Sequence, residues 1–324
     1  MKFKEFGWNN IFLEVPDEMR FSRQGGNSKN GTFVLEAENY FIEARWEEFD
    51  PKKIRPLSDV IDGLVEQMKK KSKKKDLEVK VMAREDTFIG RHKALYAVVR
   101  SSVDDRFYLW YCDDSSRIVI LRFAFKAFDE DSKQIIRRVV DSFDCHGEKS
   151  NIWSVMEVRF SLPRSFLLTD TKVSVGRAHF MFTDQKLSAF TEKTRKLLIE
   201  YFSMANLVFK DSYRDLEKWF AQNYLKDLRK KLGEGKVEFK TVESKKIKRH
   251  NVLVKKAIKS SGISSRKSSI LENLTWYCSG SNRIYSVTAA SSVKRPFIFK
   301  REIDEEDFNK MMEELMLTFQ CHQA

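Results

Sequence analysis

The chain has 324 residues, 42% of them hydrophobic and 13% aromatic, with a net charge of +13. That length and apolar content exclude a disordered chain and leave room for two domains, each with its own core. No run approaches the roughly 18 apolar residues of a membrane span, and Met1-Lys2-Phe3-Lys4-Glu5-Phe6-Gly7-Trp8 offers no signal-like stretch, so the expectation is a cytoplasmic protein with no membrane partner.

In chain order, residues 11–15 read as a strand ended by Pro16, and residues 32–46 as a second strand in which Phe41, Glu43 and Arg45 alternate with Ile42, Ala44 and Trp46. Ser58 and Asp59 then cap a helix whose apolar stripe is Val60, Ile61, Leu64, Val65 and Met68. Strands follow at residues 77–82, 93–100, 107–112 and 117–125, the last two joined by the turn Asp113-Asp114-Ser115-Ser116. A closing helix carries Ile135, Ile136, Val139, Val140 and Phe143 on one face.

The pattern then repeats. Trp110-Tyr111-Cys112 and Arg117-Ile118 recur as Trp276-Tyr277-Cys278 and Arg283-Ile284. Phe143, Cys145 and His146 recur as Phe319, Cys321 and His322, and Arg91-His92 as Arg249-His250. All four Cys and four of the five His fall at equivalent places. The order of these matches predicts a tandem duplication, residues 1–149 and 150–324. In the second copy the first helix starts at Ser212 with Leu216, Trp219, Phe220 and Leu225, the closing helix carries Met311, Met312, Leu315, Met316 and Phe319, and extra residues at 187–202 suggest an additional helix.

Each copy is thus expected to be an α+β sandwich, an antiparallel sheet packed with helices in the order ββ-α-ββββ-α. That order, with its hairpin and closing helix, resembles the Mog1/PsbP-like fold. The resemblance implies a scaffold that acts by binding proteins and has no shared catalytic site. The repeated Trp-Tyr-Cys and Cys-His pairs suggest a narrower group, of archaeal origin.

Cys112 and Cys145 are expected to meet, as are Cys278 and Cys321. Three readings stay open. Disulfides are unusual in the cytosol except among hyperthermophiles, and the excess of Lys and Glu over the seven Gln has that thermophile bias. Reduced, packed thiols are the second reading. A zinc site taking Cys112, Cys145, His146 and His92 is the third, although no CxxC is present and adjacent Cys-His lacks the usual ligand spacing. The reading adopted from sequence is that no cofactor or metal is bound, with the four cysteines as disulfide candidates. No phosphate loop, nucleophile elbow or HExxH helix occurs, which argues against an enzyme.

Charge is polarised. Residues 1–150 carry 28 Lys and Arg against 27 Asp and Glu, whereas residues 229–301 hold 19 against 4. Lys245, Lys246, Lys248, Arg249, Lys255, Lys256, Lys259, Arg266, Lys267, Lys294 and Arg295 are the candidate contacts to phosphates, and turns that are acidic in the first copy are neutral or basic in the second. The functional expectation is therefore a non-enzymatic RNA-binding protein, associated with the ribosome or another structured RNA. The alternative is a protein-interaction or assembly module, with a homodimer or protein partner engaged through the first repeat.

Overall fold

The computed structural model describes residues 1–72, 78–207, 213–233, 237–260, 267–295 and 303–322, divided into two compact units, Met1–Met156 and Glu157–Ala324. The first unit contains β1 (Phe3–Trp8), β2 (Ile11–Pro16), β3 (Arg20–Gly26), β4 (Gly31–Glu36), β5 (Tyr40–Glu48), α1 (Leu57–Ser72), β6 (Lys80–Ile89), β7 (His92–Arg100), β8 (Asp104–Cys112), β9 (Arg117–Phe125), α2 (Glu130–Ser142) and β10 (Ile152–Val155). The second contains β11 (Val158–Ser161), β12 (Leu167–Ser174), β13 (Arg177–Ser188), β14 (Thr191–Ser203), α3 (Tyr213–Trp219), α4 (Leu225–Leu232), β15 (Lys240–Ile247), β16 (His250–Ser260), β17 (Lys267–Cys278), β18 (Arg283–Lys294) and α5 (Glu305–Thr318).

Each unit is built on a seven-stranded antiparallel sheet. The orders are β3-β4-β5-β9-β8-β7-β6 and β12-β13-β14-β18-β17-β16-β15, which are the same order of elements. Trp110 of β8 and Trp276 of β17 occupy corresponding strands.

The expected α+β sandwich is not what forms. The chain is mostly β, with strand residues outnumbering helical ones by more than two to one, and helices do not make up a layer of their own over one sheet. The reason lies at the start of the first unit. Phe3–Trp8, to which no element was assigned from sequence, is a strand that turns back at Asn9-Asn10, both left-handed (φ 50° and 62°), as a two-residue hairpin requires. The resulting β1–β2 hairpin, with β10 on its other side, faces the large sheet: the Phe6 ring packs at a tilt against Phe33, 4.8 Å between centroids, and Trp8 against Phe21 at 5.0 Å. Gly7 makes this possible, since a Cβ there would fall 2.1 Å from the Ile152 carbonyl oxygen. The α2 helix packs on β2 of this hairpin, so the layer is strand as much as helix.

Two other readings are corrected. Residues 32–46 are two strands, β4 and β5, because Glu36 and Tyr40 flank a reversal in which Ala37 donates to the Tyr40 carbonyl at 2.9 Å. Residues 187–202, read as a further helix, form the end of β13 and most of β14. The run Leu197-Leu198-Ile199 is buried on both faces of a central strand, where apolar residues lose the alternation that marks a half-buried one.

The two faces of each large sheet carry different cargo. In the first unit, odd-numbered Leu95, Ala97, Val99, Phe107 and Leu109 meet Ile61 and Val65 of α1. The even-numbered residues of the same strands, Trp110 and Cys112 among them, point the other way. In the second unit Leu253, Ala257 and Leu271 likewise meet Leu216, Trp219, Phe220 and Leu228 of the α3–α4 segment.

That second core holds a buried polar network. Glu200, 0% exposed, accepts from the Tyr224 hydroxyl at 2.6 Å, from Arg177 at 3.0 Å and from Lys231. Beside it Asn273 donates to Ser286 and Thr288 at 2.8 and 2.7 Å. Removing any one partner here strands a desolvated group. Glu200→Gln, leaving Arg177 and Lys231 facing a neutral amide, is expected to cost about 2–4 kcal/mol in urea denaturation. Tyr224→Phe is expected to cost about 1–2 kcal/mol.

Candidate metal centres

The repeated Cys and His residues converge on the sheet face away from α1 and α3–α4. His92 opens β7 just after the turn at Gly90, whose φ is +56°. Cys112 ends the neighbouring β8. The register pairs Ala94 with Trp110, so His92 stands opposite Cys112. The second unit repeats this: Val252 pairs with Trp276, which sets His250, at the start of β16, opposite Cys278 at the end of β17.

The remaining donors arrive from the closing helix. A capping box at Asp129 and Ser132 starts α2, and Ile135, Ile136 and Val139 bury its inner face. Beyond it, Phe12 and Asp144 exchange two backbone hydrogen bonds of 2.8 Å, so the chain crosses the sheet end and delivers Cys145-His146. In the second unit Asp304 starts α5, and Arg159 and Gln320 make the corresponding pair at 3.0 and 2.7 Å, delivering Cys321-His322.

In each unit the four donor atoms lie within 4.8 Å of one another: His92, Cys112, Cys145 and His146, and His250, Cys278, Cys321 and His322. Sγ of Cys145 is 3.2 Å from His146 Nδ1 and 3.6 Å from His92 Nε2, and Sγ of Cys112 is 3.3 Å from His146 Nδ1. In the second set, Cys321 Sγ stands 3.2 Å from His250 Nε2, 3.3 Å from His322 Nδ1 and 3.5 Å from Cys278 Sγ. A tetrahedral zinc with Zn–S near 2.3 Å and Zn–N near 2.05 Å has S···N edges of about 3.6 Å and an S···S edge of about 3.8 Å. The observed separations match those edges within a few tenths of an ångström. All four cysteines are buried free thiols. The expected Cys112–Cys145 and Cys278–Cys321 pairings are therefore met in space, and each pair is joined by two histidines.

Before a metal binds, electrostatics favour the ligating form of His92, His250 and Cys112 and oppose it at Cys145 and Cys321. Burial is the main cause lowering the pKa of both His92 and His250, which keeps the imidazoles neutral, as ligation requires. A hydrogen bond from Cys145 is the largest cause drawing Cys112 down to about 5, while Cys145 itself is pushed up, because two adjacent thiols do not readily both ionise. Burial pushes Cys321 up to about 12. The indole N–H groups of Trp110 and Trp276 are buried without a well-formed hydrogen bond. Each adjoins a sulfur, of Cys145 and Cys321 respectively, and lowers its pKa. A metal-bound thiolate is the acceptor such a group lacks.

Around the first centre, Arg117 is 3% exposed and fixes the backbone that delivers the ligands, donating to the carbonyls of Asn9 at 3.0 Å and Cys145 at 2.9 Å. The second unit solves the same problem differently. The Tyr285 hydroxyl donates to the Cys321 carbonyl at 2.7 Å, and Arg283 turns instead to Glu157 at 3.0 Å.

The residues expected to contact phosphates are not gathered in one place. Lys255 is buried, 2.7 Å from the Thr241 hydroxyl and 3.3 Å from Glu217. Lys256 pairs with Glu272 at 2.9 Å and Lys294 with Glu192 at 3.7 Å. Lys267 and Arg295 are half-buried. Arg266 lies outside the described residues, as does the side chain of Lys259. Lys245, Lys246, Lys248 and Arg249 remain as an exposed group at the β15–β16 turn, close to the second metal centre.

Sequence reasoning named the first ligand set as one of three open readings and left the second set, with His250, unassembled. The available signal was the repetition itself, in which the Cys and His recur while the residues around them diverge. Among the described residues no helix is long and apolar enough to cross a membrane.

No protein-family model matches the chain, and no curated protein matches it. Among solved structures it is similar to the T6SS immunity protein TplEi from Pseudomonas aeruginosa. The apo form aligns at 8% identity and a TM-score of 0.30, over 100% of this chain and 99% of that one. The form complexed with "L" peptide aligns at 6% and 0.28, over 99% of each. A likeness at these TM-scores assigns this chain neither a fold family nor a function.

Proposed function

We propose that this chain is a non-enzymatic binding protein whose two units are each stapled by a structural Cys2His2 zinc centre. The observation that carries this is the convergence, twice, of four soft and borderline donors from three separated segments onto one point. Four protein ligands fill a tetrahedral zinc, whereas a catalytic zinc keeps a position open for water. The adjacent Cys-His pair brings two ligands at once to the end of the closing helix, so the metal locks that helix end to the sheet.

The test is metal content. Protein purified without added metal or chelator is expected to carry two zinc ions per chain, measured by mass spectrometry, and Cys278→Ser to carry one. Oxidised cysteines with no metal would instead establish disulfides and end this reading.

A stapled, mostly β scaffold acts through its surface, which supports a protein-interaction module as the partner class. The exposed group Lys245, Lys246, Lys248 and Arg249 also supports a polyanion such as RNA as a second reading. In that case Lys245→Glu with Lys246→Glu should weaken RNA binding and reduce the slope of log K against log salt by roughly 0.7–0.9 for each phosphate interaction removed. Lys52→Glu with Lys53→Glu, in the near-neutral first unit, should leave both unchanged, as filter binding across a salt series would show.

A further inference from the structure

The two centres share their four ligands but not what surrounds them. In the first, Asp114 Oδ2 lies 3.4 Å from His146 Nε2, the ring nitrogen that faces away from the sulfurs. Arg91 pairs with the same carboxylate and reaches the same nitrogen at 2.8 Å. With metal on Nδ1 the proton sits on Nε2; Arg91, itself a donor only, must then leave that nitrogen and keep its hold on the carboxylate, which frees Nε2–H to donate to Asp114. Asp144 fixes the backbone beneath, accepting from His146 N–H at 3.0 Å and from Lys149 N–H at 3.1 Å. His146 is consequently a guarded ligand, its side chain 16% exposed.

None of this supports His322. The turn residues matching Asp113 and Asp114 are Ser279 and Gly280, and among the described residues no carboxylate contacts the ring. Asp144 is replaced by Gln320, and the imidazole is exposed. The two histidine rings stand 6.1 Å apart, against 4.9 Å for His92 and His146. In addition, His250, Cys321 and His322 line a cavity of about 340 Å³, which is walled by apolar side chains such as Trp276 and Met316 and also lined by Lys248 and Arg249.

We propose that the two centres differ in kind: the first holds its zinc permanently, whereas the second is an exchangeable centre at which His322 gives way to an anionic ligand entering from the adjoining cavity. This rests on both centres binding zinc. The step is a ligand substitution. The bond from zinc to His322 Nδ1 breaks, its electron pair staying on the neutral imidazole, and a bond forms from the incoming anion to zinc, with no change of oxidation state. Cys278, Cys321 and His250 keep the metal throughout. The cavity supplies the entry path, and Lys248 and Arg249 supply the positive charge that draws an anion in.

Competition with a chromophoric chelator tests the first half. Loss of an orienting carboxylate behind a ligating histidine typically costs 10–100-fold in metal affinity. The expected result is one zinc released about 10–100-fold more readily than the other, and Cys278→Ser should abolish the readily released one. Asp114→Asn should weaken the tight zinc towards the loose one. Gly280→Asp should tighten the loose one, because a Cβ there lies 3.6–3.7 Å from the His322 ring and so has room. The cobalt-substituted protein tests the second half: azide should perturb the visible absorption of one cobalt only, and Cys278→Ser should remove the response. Two zinc ions of equal affinity, or a cobalt spectrum indifferent to azide, would overturn the inference while leaving both structural centres standing. A chain that binds no metal would end both readings.

Discussion

Stripping zinc from the two proposed centres is expected to lower the thermal stability by at least as much as the costliest single core substitution. Structural zinc is worth on the order of 10 kcal/mol in small metal-folded peptides. Each unit here also has its own core, so the loss should be partial, on the order of 5 kcal/mol per centre. For a unit of this size that corresponds to roughly 10–20 °C in Tm. Cys145→Ser should reproduce the loss in the first unit alone, giving two separated transitions in calorimetry where the parent gives closer ones. Acid should act in the same direction as the chelator, because thiolate and neutral imidazole are the ligating forms and protonation releases the metal. A chelated protein that melts where the zinc form melts would show that the donors pack without binding.

The second large effect is expected at Arg117. Its guanidinium is buried and donates to the backbone of the β1–β2 turn and to the Cys145 carbonyl, so one side chain ties together the first hairpin, the sheet and the Cys145-His146 segment. Burial lowers its pKa from the ordinary arginine value. Arg117→Met fills much of the volume but leaves those carbonyls unpaired, and the cost is expected to be about 3–5 kcal/mol in urea denaturation. Arg283→Met should cost less, about 1–2 kcal/mol, since Tyr285 already satisfies the Cys321 carbonyl and what is lost includes the pair with exposed Glu157 and the contact over the Tyr201 ring. Equal costs at the two positions would show that the repeat arginines share a role despite their different partners.

Much of the structure was written in local patterns. Strands β7, β8 and β9 were legible from their alternation and from the turn Asp113-Asp114, and α2 and α5 from their apolar stripes. The failures have physical causes. Phe3–Trp8 was missed because its turn, Asn9-Asn10, carries no glycine, although asparagine also adopts the left-handed conformation. Residues 187–202 were taken for a helix because a strand buried on both faces has no period to read. The layer formed by β1, β2 and β10 could not be deduced from an element order, since it depends on which face of the large sheet the hairpin covers. The first donor set was legible only as one of three readings, because His92, Cys112 and Cys145 converge through strand register and a helix end, at separations no short motif encodes. For the basic residues the sequence shows charge but not pairing: Lys255, Lys256 and Lys294 each stand in an ion pair that no local pattern announces.

The strand order also governs how each unit comes together in time. Strands β3 to β5 form one meander and β6 to β9 another, each built from neighbours in sequence. The two meanders join only along β5 and β9, where Tyr40 pairs with Phe125 and Glu48 with Arg117, residues some seventy to eighty-five apart along the chain. Local hairpins close in microseconds, whereas pairing across such a distance must first overcome loop-closure entropy. The central seam is therefore the slow event, as in other sheets dominated by non-local contacts. His92 and Cys112 face each other within the second meander, so half of a metal site exists before the seam closes. An ion captured there early would hold the meander in register while it waits for the first, and Cys145-His146 would complete the coordination only once α2 has docked.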